Sequence, residues 1–219
     1  MKICQEAKMS EIDIEKNRIL DEIIANRRSI REFTQDIHPK ESIDAILEAG
    51  LQAPFAAIAV IGEKKFRRFF IIKNGASMDK LANIIQQRMI IVYSHLARQT
   101  NMQPKTDEFL KVLKNVAVSG FNLRPPYFVI VAEKEGFPPV AQLSLAHCLE
   151  NMWLKATALG LGFRLVSLVS ELSQDKEFCE LIGVKPGEYS MNGCVIGCIK
   201  TIPPKVERPL LNEITTWIN

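Results

Sequence analysis

The chain has 219 residues, 47% of them hydrophobic and 24% charged; that balance excludes a disordered chain and is enough to bury a sizeable core. A net charge of +3 with a pI near 8.6 is too mild to argue for a nucleic-acid partner. No apolar run approaches the ~18 residues that span a bilayer, and the charged opening (Lys2, Glu6, Lys8, Glu11, Asp13, Glu15, Lys16) leaves no apolar core for a signal peptide.

A cytoplasmic protein without a membrane partner is therefore expected. The cysteines Cys4, Cys148, Cys179, Cys194 and Cys198 are odd in number, which favours free thiols in a reducing compartment. No repeat, low-complexity segment or linker stands out. One domain over residues 1–219 is expected, with 1–13 as a flexible or helical extension.

The first predicted helix covers 14–25, where Ile19, Leu20, Ile23 and Ile24 recur at helical spacing. A second starts after Pro39, carries Ile43, Ile46, Leu47, Gly50 and Leu51 on one face, and stops at Pro54. The cluster Lys64, Lys65, Arg67 and Arg68 reads as a solvated turn leading into a buried strand at 69–72. Helices are predicted at 79–99 and 107–119. Pro125-Pro126 then breaks the chain before a continuous apolar strand at 127–132.

A helix at 140–159 is poor in charge, so it is expected to be buried on most sides and central, with His147 a core or interface histidine. Gly160 and Gly162 are expected to end it. A strand at 163–169, a helix at 174–182 and a strand at 191–199 follow. The tail turns apolar at Leu210, Leu211, Ile214, Trp217 and Ile218, so it should dock on a subunit surface, its own or a partner's. Helices with a few short strands give an α+β class, a small mixed sheet flanked by helices.

Two basic segments could carry chemistry. Arg27-Arg28-Ser29-Ile30-Arg31 offers three guanidiniums and a hydroxyl within five residues. A guanidinium is a planar fork that matches two phosphate oxygens, and in an extended segment Arg27, Ser29 and Arg31 fall on one side. Lys205-Val206-Glu207-Arg208-Pro209 follows two prolines and could reach a phosphate held elsewhere. Each alone more often marks a solvated turn. The histidines His38, His95 and His147 lack metal-ligand spacing. Cys194 and Cys198 would lie roughly 13 Å apart on a strand, too far for one metal, and read as buried structural thiols.

Taken in order, these motifs resemble the nitroreductase family. Arg27-Arg28-Ser29-Ile30-Arg31-Glu32-Phe33 followed by a helix and Ala53-Pro54 is similar to the family's opening. The helix closing in Gly160-Leu161-Gly162 is similar to its central helix. Ile182-Gly183-Val184-Lys185-Pro186, Val195-Ile196-Gly197 and Arg208-Pro209 resemble its closing segment.

The resemblance implies a nitroreductase-like homodimer with FMN at the interface, NAD(P)H as co-substrate and a small planar electron acceptor such as a nitroaromatic or quinone. It implies that Arg27, Arg28, Ser29 and, nearer the ring, Arg31 hold the cofactor. Arg208 and Lys205 would reach the phosphate, Pro54, Phe55, Ala56 and Ala57 would approach the ring, and Leu165, Val166, Ser167 and Leu168 would pass its reactive edge. The chain departs from the family's pattern in its apolar run from Phe55 to Ala59 and in Ser167-Leu168, where some relatives have a glutamate-glycine pair. Backbone groups and apolar packing would then hold the ring. Other readings are a flavin-dependent reductase of a halogenated or enone compound, and an FMN storage or sensor protein with little catalysis.

Overall fold

The computed structural model describes residues 11–55, 65–99 and 125–218. Its elements are α1 (Glu11–Asn26), α2 (Lys40–Leu51), β1 (Arg67–Lys73), α3 (Ala76–Gln99), β2 (Tyr127–Glu133), α4 (Ala141–Ala158), β3 (Leu161–Leu165), a 3-10 turn (Ser167–Leu172), α5 (Lys176–Ile182), β4 (Ser190–Cys198) and α6 (Leu211–Ile214). The predicted helix at 107–119 lies outside the described residues, as do Ala56 and Ala57.

Four strands form one sheet in the order β1-β2-β4-β3, every neighbour antiparallel. Among the described residues the parallel component is a single bridge from Ser29 to Phe163. β2 sits inside the sheet and is covered on both faces, which is why its apolar run is unbroken. Phe128, Ile130 and Ala132 face Leu81, Ile85 and Phe178. Tyr127, Val129 and Val131 face Ile46, Leu145 and Met152. The strand's two-residue period thus divides the core into a layer under α3 and α5 and a layer under α2 and α4.

Several expectations change. The strand foreseen at 163–169 runs instead from Leu161 to Leu165, because its pairing with β4 ends at Leu165 opposite Cys194 and the chain then winds into the 3-10 turn. Gly160 alone stops α4, at φ +71°. Gly162 belongs to the strand, where a Cβ would come within 2.9 Å of Phe33 and 3.0 Å of Ile30. α5 begins later than 174, because the Asp175 side chain accepts from the Phe178 amide at 2.9 Å and caps it.

α4 is buried on one face only. Gln142, Leu143, Ala146, His147 and Glu150 are exposed, so His147 is not a core residue. Cys198 is only half-buried. The α1 stripe is open too, with Ile14, Ile19, Leu20 and Ile24 exposed, and so is the apolar tail from Leu210 to Ile218. Neither finds cover among the described residues. No helix among the described residues is long and apolar enough to cross a membrane.

Candidate functional site

The opening basic segment leaves the end of α1, where the Arg27 amide still donates to the Ile23 carbonyl at 3.1 Å. Its guanidinium meets α4. Glu150 and Trp153 stand three residues apart there and so share a face. Arg27 Nε lies 3.4 Å from Glu150 Oε1, and the guanidinium carbon is 4.2 Å from the centroid of the Trp153 ring. One edge and one flat face are held. Among the described residues no partner takes the two terminal nitrogens.

Trp153 ties this corner together. Its indole N–H donates to the Arg28 carbonyl at 3.1 Å, and its ring stacks on Phe163 with centroids 5.0 Å apart. The Ile30 amide in turn donates to the Phe163 carbonyl at 3.0 Å. Segment 27–30 is therefore extended and laid beside β3, the condition under which Arg27 and Ser29 fall on one side. Arg28 and Ile30 turn to one side and line a pocket of about 200 Å³ with Thr157, Gly160, Ile199 and Ile202.

Arg28 is already engaged. Its Nη1 donates to the carbonyls of Ala25 and Arg27, both at 2.8 Å, a cation at the negative end of α1. Ser29 is half-buried and Arg31 exposed. Beyond β3, Leu165 and Ser167 are exposed, whereas Val166 and Leu168 pack against the core. The Val166 amide donates to the Gly193 carbonyl at 2.7 Å, which sets the direction in which the turn leaves the sheet.

The root of the tail is pinned beside the same segment. The Lys200 amide donates to the Glu32 carbonyl at 3.0 Å, and the Thr201 hydroxyl donates to the Glu32 carboxylate at 2.8 Å. Lys205 and Arg208 follow on an exposed, extended stretch.

The Pro54–Phe55 corner stands on a different support. Asn151 of α4 donates to the Ala49 carbonyl at 3.2 Å and holds the end of α2. Arg67, expected to be a solvated turn residue, is buried with its side chain 1% exposed against Glu133. Its cross-strand neighbour in β2 is that same Glu133, so the sheet brings the two charges together. Phe55 stacks on Phe66 with centroids 3.9 Å apart.

So the structure brings together Arg27, Arg28, Ser29, β3 and the root of the tail, and it carries Pro54 and Phe55 on the end of α2. Sequence reasoning missed Glu150, Trp153, Glu32, Arg67 and Glu133. One signal was available: Glu150 is an acid beside Trp153 on a helix otherwise poor in charge. Burial pushes the Cys148 thiol up to about 11 and the Cys194 thiol well above its ordinary value, so neither is a nucleophile at neutral pH. A hollow of about 770 Å³ along β1, beside Lys40, Phe70, Ile72 and Tyr127, contains none of the candidate site residues. No group of three metal-ligating side chains is assembled among the described residues.

The model of the nitroreductase family matches residues 24–198. No curated protein matches. Among solved structures, a nitroreductase of Bacteroides fragilis with bound FMN is 23% identical, with a TM-score of 0.66 over 91% of this chain and 98% of that one. A BluB-like flavoprotein of Clostridium difficile is 22% identical, with a TM-score of 0.69 over 91% and 99%. An oxidised iodotyrosine deiodinase bound to FMN and 3-iodo-L-tyrosine is 17% identical, with a TM-score of 0.68 over 91% and 99%. These likenesses establish a shared fold.

Proposed function

Because the chain belongs to the nitroreductase family, we propose that it is an NAD(P)H-dependent FMN oxidoreductase acting on a small planar acceptor. The observation that carries this reading is Arg27, gripped by Glu150 and Trp153 while its terminal nitrogens are left for a ligand. That arrangement fits an anion, because a pre-oriented fork loses little freedom on binding two phosphate oxygens. Ser29 adds a hydroxyl donor from the same side of the extended segment. Arg208 and Lys205 would close over the phosphate from the tail. Arg28 serves chiefly to cap α1, and contributes charge rather than a free fork.

FMN, when bound, would supply the chemistry by taking hydride from a nicotinamide and giving it to the acceptor. Arg31, exposed on the same segment, would supply positive charge beside the ring. The exposed backbone at Leu165 and Ser167, and the corner at Pro54 and Phe55 with Ala56 and Ala57 beyond it, would hold the ring by peptide groups and apolar contact.

The acting unit is a homodimer. Its support is the exposed apolar side chains of α1, Leu143 on α4 and the tail, which a second copy of the chain would cover. Light scattering should give twice the chain mass.

The deciding experiment is an absorption spectrum of the purified protein before and after anaerobic NADH or NADPH. A flavin spectrum that bleaches supports the reductase. A spectrum that stays oxidised points to a binding protein, and no flavin after adding FMN removes the reading. Nitroaromatics and quinones are the acceptors to try first. A halogenated aromatic should follow, given the fold shared with the deiodinase.

A further inference from the structure

The Arg67–Glu133 pair lies outside the set of residues so far assigned to the cofactor, and all five N–H groups of the guanidinium are used. Nε and Nη2 donate to Glu133 Oε2 at 3.1 and 2.9 Å. Nη1 donates to the carbonyls of Gly50 and Ala53 at 3.0 and 3.1 Å. Nη2 also donates to the Pro54 carbonyl at 3.1 Å. Glu133 fixes the fork, and the fork fixes three peptide groups where α2 ends.

The third carbonyl has a geometric consequence. Pro54 has no N–H, so the corner's first donor is the Phe55 amide, which has no partner among the described residues. A trans peptide is planar, with its N–H pointing opposite to its C=O. Arg67 holds the Pro54 carbonyl inward against the sheet, so the Phe55 N–H points outward, while the Phe55 ring is steadied on Phe66. A buried ion pair is a costly way to gain stability alone, but it is a stiff way to aim a peptide plane.

We infer that Arg67 and Glu133 are positioning residues that aim the Phe55 amide at the flavin ring. This rests on the proposed flavin binding and adds to it a specific donor and the device that orients it. The cofactor's phosphate and its ring would then be held by two independent arginines, Arg27 directly and Arg67 through the backbone.

FMN and riboflavin separate the two, because riboflavin lacks the phosphate. In Arg67→Met with Glu133→Leu, an apolar pair of similar volume that keeps such a site packed, affinity for both flavins should fall by the same factor, about tenfold or more. The visible flavin bands and the reduction potential should shift as well. Arg27→Ala should weaken FMN alone.

If the double variant does not fold, Arg67→Lys gives the same readout. It keeps the charge opposite Glu133 but offers three donors in place of five, so it too should weaken both flavins together. A folded variant of either kind with unchanged affinities, bands and potential would overturn the inference and leave the pair purely structural. A wild-type protein that binds neither flavin would instead defeat the proposed function itself.

Discussion

Segments 27–31 and 64–68 look alike in the sequence: each packs several cations and an apolar residue or two into five positions. The fold treats them in opposite ways. Arg27 keeps a quarter of its side chain exposed beside a half-exposed Glu150, whereas Arg67 is sealed against an equally buried Glu133. What separates them is the supply of acceptors. Arg67 has a carboxylate across the strand and three carbonyls at a helix end within reach. Arg27 has one carboxylate and an aromatic face. Charge density in a sequence does not reveal whether a cation is open to a ligand; unspent donors do.

The sealed side should break hardest. Arg67→Ala leaves Glu133 buried without its partner and strips three carbonyls of their donor. The expected loss of folding stability is about 3–5 kcal/mol, the range for removing half of a buried pair, read as a lower midpoint in urea. A loss under about 1 kcal/mol would mean that water reaches the pair, as it does at exposed ion pairs. The open side should behave in the reverse manner. Arg27→Ala should leave the urea midpoint almost unmoved, because the pair with Glu150 is half-exposed. FMN binding should weaken by about 1.5–3 kcal/mol, the size of a lost charge-assisted hydrogen bond, or roughly 10- to 100-fold. Unchanged FMN affinity in a folded Arg27→Ala protein would remove Arg27 from the site.

The same contrast explains how much was legible in advance. Helix α2, helix α3, strand β2 and the core of α4 follow from apolar spacing, because one face or both must be buried and the period declares it. That Arg27, Ser29 and Arg31 share a side was legible only on the condition that the segment is extended. Arg67 was not, since its fate depends on Glu133, which is distant in the chain and adjacent only through β1–β2 register. The grip of Glu150 and Trp153 on Arg27 likewise needs α4 packed against the end of α1. The end of β3 was misjudged because Val166, Leu168 and Val169 are as apolar as a strand, while pairing stops at Leu165. Gly162 is no helix stop but a strand residue, required by the close passage of Phe33 and Ile30. Apolar period reports burial; it does not report where a ladder runs out of partners.

Alkaline pH offers a smaller effect on the sealed side. Cys148 lies near the ion pair, and burial pushes its thiol from 9.0 up to about 11, with Arg67 pulling it down and Glu133 pushing it up to a lesser extent. A raised pKa means that the folded state binds the proton more tightly than the unfolded one. Its contribution to stability is therefore complete below pH about 9 and lost as the pH rises towards about 11. Chemical denaturation should show a decline of up to about 2 kcal/mol across that window, by the linkage of ~1.4 kcal/mol per unit. Cys148→Ala should be less stable at pH 8 yet flatter with pH, leaving the fall due to Cys194, which burial raises in the same direction. Equal slopes in the two proteins would mean that Cys148 ionises as freely folded as unfolded.

The smallest change tests whether Arg27 is oriented or merely nearby. Trp153→Phe keeps an aromatic face for stacking on Phe163 and for the guanidinium, but it deletes the indole N–H that donates to the Arg28 carbonyl. That bond should be worth about 1 kcal/mol of stability. Phenylalanine also attracts a cation less than tryptophan does, so the fork should wander and FMN should bind several-fold more weakly. The loss must stay below that of Arg27→Ala, since the donors themselves remain. FMN titrated against both variants under one set of conditions reads this order directly. A loss in Trp153→Phe as large as in Arg27→Ala would make the indole itself part of the binding surface. No loss at all would mean that Glu150 suffices to hold the fork, and Glu150→Gln should then produce the drop that Trp153→Phe did not.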